Sequence, residues 1–206
     1  MKRGIILLGM TLAVVFYALP VNGALITVEI EAVVDSVWDA GNYLDGNIKV
    51  GDIITGWYTY DSDTPDSNPS AIGGRYEHHT PPHGIFLSVG GFDFQTDLTS
   101  VDFLIEITNN YPPGDDYFLL SRNNVPLYSR ASVYEISWWL YDPTGSALSS
   151  TALPENAPVL AQWGLNDLRI QSLRTFSIAA HVTSAVPEPT TILSLGLGAL
   201  LLRKRK

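Results

Sequence analysis

Cysteine is absent from the 206-residue chain, which excludes disulfide cross-links, thiolate metal sites and cysteine nucleophiles. Basic residues are scarce as well: 12 Lys and Arg stand against 21 Asp and Glu, for a formal net charge of −9. Half of these basic residues lie near the two ends, so residues 24–185 hold 6 basic and 20 acidic side chains and carry −14. A surface of this charge repels nucleic acid and anionic membranes, so we expect neither as a partner.

The motifs of common enzyme classes are also missing from the middle of the chain. Residues 24–185 contain no Gly-x-Ser-x-Gly elbow, zincin helix, phosphate loop or dinucleotide fingerprint. Lys49 is the only lysine of this region, which leaves little scope for lysine chemistry. Twenty acidic residues make some pair of neighbouring carboxylates inevitable, so the composition neither indicates nor excludes a glycosidase. We therefore expect a protein that is not an enzyme.

The N-terminus has the form of a secretory signal peptide. Lys2 and Arg3 precede an uncharged apolar run over residues 4–19, and small residues follow at Gly23 and Ala24. The run has 16 residues, whereas a permanent helical span of a bilayer needs about 20. We predict export through the Sec translocon and cleavage by signal peptidase after Gly23, with cleavage at Ala24 as the nearest alternative. A retained membrane anchor is the competing interpretation.

The C-terminus carries a second apolar segment, which is predicted to be a short hydrophobic helix. Val186, Pro187, Glu188 and Pro189 form a stiff, extended start, because proline fixes its own φ and disfavours helix in the residue before it. Residues 190–202 follow as an apolar helix of about 20 Å, too short to span a bilayer comfortably. The chain ends in a basic tail of Arg203, Lys204, Arg205 and Lys206.

This tail predicts transient anchoring in the inner membrane, with the basic end held in the cytoplasm. A short permanent anchor and a tail packed on its own domain are the alternatives. Burial of four cations would be costly, which argues against the packed tail.

The order, spacing and terminal position of these parts resemble a PEP-CTERM sorting signal. Val186, Pro187, Glu188 and Pro189 occupy the signature positions of that family. The resemblance implies a Gram-negative bacterium that makes exopolysaccharide, and an exosortase that recognises the tail and removes it. The segment is also known under the label "ice-binding protein C-terminal domain", a label that does not indicate ice binding. Because proteins with many different central domains share this signal, it predicts the location of the protein and not its activity.

The middle of the chain is predicted to be a single antiparallel β-sandwich domain, all-β and jelly-roll-like. Apolar and polar residues alternate with the two-residue period of half-buried strands, as in residues 101–108. Gly90 and Gly91 between two such runs predict a tight hairpin. Helix is nearly absent, apart from one short turn expected within residues 157–164. The chain thus divides into a signal peptide (1–23), a β-sandwich (24–185) and a sorting signal (186–206).

An acidic loop follows the strand predicted over residues 53–60. Asp61, Asp63, Asp66 and Asn68 offer four oxygen-bearing side chains, and Ca²⁺ prefers six to eight hard oxygen ligands. The loop lacks the central glycine and the distant glutamate of an EF-hand, and two prolines interrupt it. Calcium binding is therefore a hypothesis, and a solvated turn is the favoured interpretation.

Three histidines, His78, His79 and His83, lie close together after this loop. Adjacent residues of a strand point to opposite faces, so His78 and His79 cannot both bind one metal ion in a regular strand. Two prolines precede His83 and could return it beside His79. Because no spacing here guarantees the convergence that zinc requires, we expect exposed loop histidines.

The strand predicted over residues 133–141 carries aromatic residues on both faces. Alternation assigns Tyr134 and Trp138 to the core face, and Trp139 and Tyr141 to the outer face. Exposed aromatic rings are a plausible platform for sugars, whereas packing in the core or at an edge is the more common role of large aromatics. An earlier strand raises the same question for Trp57, Tyr58 and Tyr60.

A second, weaker resemblance links the middle to exported PEP-CTERM proteins without an assigned activity. It rests on the run GWYTYD at residues 56–61, on TPDSNP at residues 64–69, and on Gly84 and the Gly90–Gly91 hairpin. The sequence thus predicts a secreted or surface protein with a structural role in an extracellular polysaccharide matrix. A carbohydrate-binding module or a polysaccharide hydrolase is the alternative. An exposed aromatic stripe favours the module, and two carboxylates facing across a cleft favour the hydrolase.

Overall fold

The computed structural model describes residues 25–188 apart from Pro69, residues 112–113 and residues 126–131. Nearly all regular structure in this part of the chain is β. The predicted signal peptide and the predicted sorting helix lie outside the described residues. No helix among the described residues has the length and apolar character of a membrane span. The elements are β1 (Leu25–Asp39), β2 (Ile53–Asp61), β3 (Gly73–His78), β4 (Gly84–Val89), β5 (Phe92–Thr96), β6 (Phe103–Tyr111), β7 (Gly114–Ser121), β8 (Asn124–Val125), β9 (Val133–Asp142), a 3-10 helix (Leu160–Gln162), β10 (Leu165–Ser172) and β11 (Phe176–Pro187).

The eleven strands are joined by antiparallel ladders into one sheet. Their order is β3, β6, β7, β9, β10, β11, β1, β2, β4, β5 and β8. Aromatic contacts join strands that are not neighbours in this order. Tyr58 of β2 lies 6.0 Å from Trp138 of β9, and Phe94 of β5 lies 6.1 Å from Phe176 of β11, measured between ring centroids. The sheet therefore curls until its two halves face each other.

The predicted all-β, antiparallel, sandwich-like fold is confirmed, with one difference in how its layers are connected. Alternation predicts two sheets, whereas the two layers are halves of one curled sheet. β1 and β11 lie in the middle of the strand order, and their ladder skips Asp35 on one strand and Thr183 on the other. Such bulges bend a strand and increase its twist, which allows the sheet to curl over its own core.

The core contains four tyrosines whose hydroxyl groups are hydrogen-bonded inside the protein, namely Tyr58, Tyr60, Tyr76 and Tyr117. Tyr117 donates to the Tyr58 hydroxyl at 3.3 Å, and Tyr60 donates to the carbonyl oxygen of Pro154 at 2.6 Å. Burial raises the pKa of Tyr58, Tyr60 and Tyr117 above that of a free phenol, so all three stay neutral. The largest fully buried side chains are Trp138, Tyr58, Tyr60, Tyr117, Phe94, Phe103 and Phe176.

Two local predictions are confirmed by the backbone. Gly90 and Gly91 connect β4 to β5 in a two-residue hairpin, with φ angles of 59° and 84°. A turn with two positive φ angles is the type that matches the twist of the flanking strands, and glycine adopts it without strain. The predicted short helical turn within residues 157–164 is the 3-10 helix.

Tyr134 was predicted to face the core, and this prediction is wrong. Its side chain is 49% exposed, while Val133 is buried. In the ladder with β10, Val133 pairs with Ser172 and Glu135 pairs with Gln171, so Tyr134 has no opposite residue. This bulge shifts the alternation by one residue at the start of β9, and a one-residue shift reverses the face of a side chain.

Candidate functional site

The last strand of the sheet runs into the predicted sorting signal. β11 ends at Pro187, which lies opposite Val28 of β1, and Val186 precedes it in the same ladder. The backbone N–H of Glu188 then donates to the carbonyl oxygen of Thr27 at 3.0 Å. The signal therefore starts inside the folded sheet, in the extended conformation that its prolines predict. The other predicted processing positions, Gly23, Ala24, Pro189, Arg203, Lys204, Arg205 and Lys206, lie outside the described residues.

Pro187 fits into this strand because of the alternation of hydrogen bonds along an antiparallel ladder. Thr27 and Glu188 are a hydrogen-bonded pair, so the next pair, Val28 and Pro187, is a non-hydrogen-bonded one. Proline lacks a backbone N–H, and at this position no ladder bond is lost. The ladder of β11 with β10 ends at Ala180. The final residues of β11 are thus paired with β1 alone.

Both predicted membrane segments attach at the same end of the sheet. β1 begins at Leu25, shortly after the predicted signal-peptide cleavage position, and β11 ends at Pro187. Because β1 and β11 are antiparallel neighbours, the start of one strand lies beside the end of the other, at the ~4.8 Å spacing of paired strands. A leader before Leu25 and a sorting tail after Pro187 therefore join the domain side by side.

The acidic loop after β2 uses its carboxylates to shape the backbone. Asp61 Oδ1 accepts from the Asp63 N–H at 2.9 Å. Asp66 Oδ1 accepts from the N–H groups of Asn68 at 2.8 Å and of Arg75 at 2.9 Å. The described residues contain no group of three or more His, Asp and Glu side chains that could hold a metal ion. Calcium binding by Asp61, Asp63, Asp66 and Asn68 stays a prediction, which titration calorimetry of wild type and Asp63→Ala tests.

The expectation of exposed histidines is wrong for His78. Its side chain is 3% exposed, at the end of β3, and its ring lies 4.8 Å from the ring of His83. His78 Nε2 accepts from the Asp61 N–H at 3.3 Å and lies 3.0 Å from Thr64 Oγ1. Burial, and next the neighbouring His83, lower the pKa of His78 to about 4. His78 is therefore a neutral acceptor that fastens the acidic loop to β3.

Trp139 and Tyr141 lie on the outer face of β9, as alternation predicts. Trp139 is 42% exposed, its ring lies 6.3 Å from that of Tyr141, and its indole N–H donates to Asp116 at 2.8 Å. It lines an open groove of about 380 Å³, here named the Trp139 groove, together with Glu106, Thr108, Asp116 and Phe118. Stacking of a sugar on Trp139 and Tyr141 stays a prediction.

A second groove forms around Trp57, on the outer face of four strands. Tyr58 and Tyr60 point into the core, whereas Trp57 is 44% exposed. Its ring stacks on Phe86 of β4, with 4.3 Å between the centroids and 22° between the planes. The groove has a volume of about 340 Å³ and is named the Trp57 groove. Its walls include side chains of β1, β2, β4 and β11, namely Glu29, Glu31, Thr55, Trp57, Phe86, Ser184 and Val186.

The two grooves lie on opposite sides of the molecule. Tyr58 and Trp138 meet edge to face inside the core, with their ring centroids 6.0 Å apart. Trp57 and Trp139 are the chain neighbours of these residues, and successive side chains of a strand point to opposite faces. Both tryptophans therefore point outward, away from the core and away from each other.

The geometry defines a class of protein: a curled β domain whose last strand leads directly into a C-terminal targeting segment. Residues 185–206 match the family model of the PEP-CTERM protein-sorting motif. The chain therefore carries this sorting motif, which indicates an exported protein that is targeted to an exosortase and located at the surface or the membrane. No curated protein and no solved structure matches the chain.

Proposed function

We propose that this chain is a non-enzymatic, matrix-associated protein of a Gram-negative cell envelope, processed by an exosortase. The observation that carries the proposal is the sorting motif at residues 185–206, joined without a linker to the last strand of a packed β domain. A domain attached in this way is delivered to the surface by its tail, and residues 24–185 contain none of the common enzyme motifs, which supports a non-enzymatic role there. Extracellular polysaccharide is the partner that we propose for it.

The path to the surface in this proposal uses both ends of the chain. The leader directs the chain to the Sec translocon, signal peptidase cleaves after Gly23, and the tail then anchors the domain transiently in the inner membrane. The shared exit point of β1 and β11 supports attachment to one membrane, because an uncleaved leader and the tail both join the domain at the same end of the sheet.

Fractionation of the source cells tests the proposal. Wild type is expected in the extracellular matrix fraction, and a chain that lacks residues 190–206 is expected in the periplasm, because the folded sheet is complete without them. The exposed-loop variant Asp45→Asn is the matched control and should fractionate as wild type. The deleted chain in the matrix, at the wild-type level, would contradict the proposal. Release of reducing ends from the cells' own polysaccharide by the purified protein would contradict the non-enzymatic role.

A carbohydrate-binding role is the second candidate, and the Trp139 groove supports it. Trp139 is exposed and held by its hydrogen bond to Asp116, so its ring is oriented before a ligand arrives. A rigid ring beside hydroxyl and carboxylate groups suits the apolar face and the polar edge of a sugar. We expect the cells' own exopolysaccharide to change the tryptophan fluorescence of wild type and of Trp38→Ala, but not of Trp139→Ala. Equal responses of all three proteins would exclude this role.

A further inference from the structure

The Trp57 groove combines an aromatic surface with two carboxylates that have no partner among the described residues. Trp57 lies directly opposite Glu29 on β1, and its neighbour Thr55 lies opposite Glu31. Neither carboxylate makes a hydrogen bond or an ion pair with any residue that the structure describes. Residues i and i+2 of one strand project from the same face about 7 Å apart, so both charges border the same groove.

The aromatic part of the groove is arranged before any ligand binds. Trp57 is stacked face to face on Phe86, with the centroids 4.3 Å apart, so the indole plane has little freedom to reorient. An ordered ring loses little side-chain entropy on binding, which favours affinity. Tryptophan is also the aromatic residue that attracts a cation most strongly to its face. The indole N–H of Trp57 has no acceptor among the described side chains and is available to a ligand.

The charge of the groove identifies the kind of ligand that suits it. Among the residues that the structure describes, its lining includes Glu29 and Glu31 and no basic side chain. The region between the leader and the tail carries −14, so the surrounding surface strengthens the negative potential of the groove. An anionic ligand would be repelled, and a neutral ligand would leave both carboxylates without a counter-charge. A cation that can also stack on an aromatic ring satisfies both features of the site.

We propose that the Trp57 groove binds a cationic amino-sugar chain, a polymer of hexosamine units with free amino groups. The apolar face of one pyranose ring stacks on Trp57, and ammonium groups of the chain pair with Glu29 and Glu31. The hydroxyl groups of Thr55 and Ser184 face the sugar hydroxyls from the two sides of the groove. A volume of about 340 Å³ lies within the range of small-ligand sites, and the open shape lets a polymer continue beyond it.

A basic peptide is the other cationic ligand to consider, and the groove favours the sugar. Hydroxyl-bearing walls and a flat, prestacked ring match the two faces of a pyranose. A flexible lysine or arginine chain would lose more rotational entropy than a rigid ring when it binds. The site is separate from the Trp139 groove, and it shares only Val186 with the sorting motif, so it can fail while the proposed function stands.

Titration of the full-length chain in a neutral detergent tests the proposal. The probes are the tetramer of glucosamine, its fully N-acetylated counterpart and the neutral glucose tetramer cellotetraose. We expect the glucosamine tetramer to bind about tenfold more tightly than the other two at neutral pH, because only it carries charges that pair with the groove. Added salt should reduce this preference, because exposed charges are screened.

Variants assign the binding to the groove. Trp57→Ala should abolish binding of all three probes, and Trp57→Phe should retain part of it. The double variant Glu29→Gln, Glu31→Gln should lose the preference for glucosamine and keep the weak binding of the neutral sugars. Trp38→Ala, which removes a tryptophan that is 53% exposed elsewhere on β1, and Glu155→Gln are the matched controls and should bind as wild type. The melting temperature of each variant reports its folding.

Three results would overturn the proposal. The first is a glucosamine tetramer that binds no better than cellotetraose. The second is wild-type affinity for the glucosamine tetramer both in a folded tryptophan variant (Trp57→Ala or Trp57→Phe) and in the folded double variant Glu29→Gln, Glu31→Gln. The third is tighter binding of a synthetic basic peptide, with the sequence of residues 199–206, in competition with the sugar, because the groove would then be a peptide site.

Discussion

Burial changes the acid–base chemistry of His78. Its imidazole accepts hydrogen bonds at the junction of β3 and the acidic loop, and burial lowers its pKa to about 4. The sequence predicts an exposed loop histidine here, because the spacing of His78, His79 and His83 indicates no metal site. The return of the loop across β3, which no local pattern encodes, buries it.

Acid should destabilise the protein through His78. An unfolded histidine has a pKa of about 6.5, so between pH 6.5 and 4 the unfolded state binds a proton that the folded state does not. The free energy of unfolding should fall as pH decreases through this window, by at most ~3 kcal/mol, and level off below it. Urea unfolding at several pH values measures this decrease.

The variant His78→Gln keeps an acceptor and removes the titration, so its stability should change less across this pH window. His79→Gln, at the exposed neighbour, is the matched control and should keep the full dependence on pH. An identical pH dependence of wild type and His78→Gln would show that the folded protein does not hold His78 neutral.

The fold favours the charged form of Asp142, whereas it favours the neutral form of His78. The negative charge of Asp142 is stabilised by hydrogen bonds within a turn. Its carboxylate accepts from the N–H groups of Thr144, Ser146 and Ala147 at distances of 2.7–3.0 Å. These hydrogen bonds, led by the one from Thr144, hold the pKa of Asp142 well below its usual range. Its contribution to stability is present above the ordinary pKa of an aspartate and is lost as the pH falls below it.

We expect Asp142→Asn to lower the melting temperature at neutral pH. Both carboxylate oxygens of Asp142 accept from backbone N–H groups, and in asparagine an NH2 group, which is a donor, replaces one of these oxygens. Asp45→Asn, in an exposed loop, should leave the melting temperature unchanged. Differential scanning calorimetry measures both values. A melting temperature of Asp142→Asn equal to that of wild type would contradict the account of this turn.

β2 and β4 approach each other so closely at Gly56 that no side chain fits between them. A β-carbon at this position would lie 2.0 Å from the carbonyl oxygen of Phe86, so Gly56→Ala must push the two strands apart. We expect a loss of about 2–4 kcal/mol in the free energy of unfolding, measured in urea. Gly91→Ala is the control: its φ of 84° is strained for alanine but no atom lies within 4 Å, so about 1 kcal/mol should be lost. Equal losses would contradict the close approach.

A substitution in β11, where the sorting motif begins, can affect processing without affecting the stability of the fold. Pro187 occupies a non-hydrogen-bonded position, so Pro187→Ala should change the free energy of unfolding by less than about 0.5 kcal/mol. The same substitution should strongly reduce the fraction of processed protein in the source cells, because it removes a signature residue of the motif. Pro65→Ala, in the acidic loop, should be processed normally. Normal processing of Pro187→Ala would show that this proline is not part of the recognised signal.

Local elements were predictable from the sequence, and long-range arrangement was not. The Gly90–Gly91 hairpin and the buried faces of the strands follow from residue types and a two-residue period. The bulge at Tyr134 depends on its register with β10, which one sequence does not reveal. The sequence does not indicate the Trp57 groove for the same reason, since Phe86, Glu29 and Val186 line it from three other strands. The sequence indicates only Trp57 itself, as one of three aromatic residues in its strand.

The charge of the whole molecule predicts how the processed protein behaves in solution. With leader and tail removed, the remaining −14 should keep it soluble at low ionic strength. We expect added Ca²⁺ to promote self-association, because a divalent cation can bridge carboxylates on two molecules. Light scattering in CaCl2 and in NaCl of equal ionic strength compares the two salts. The same profile in both would show that screening alone governs association.

The central claim concerns the tail, which is short, positively charged at its tip and joined to the domain beside the predicted leader. The most direct test is the intact mass of the protein recovered from the culture supernatant and from the membranes of its source. The account predicts a mature form that lacks both the leader through Gly23 and the apolar segment and basic tail of the sorting motif. A dominant form in the inner membrane that still carries Lys206 would contradict it.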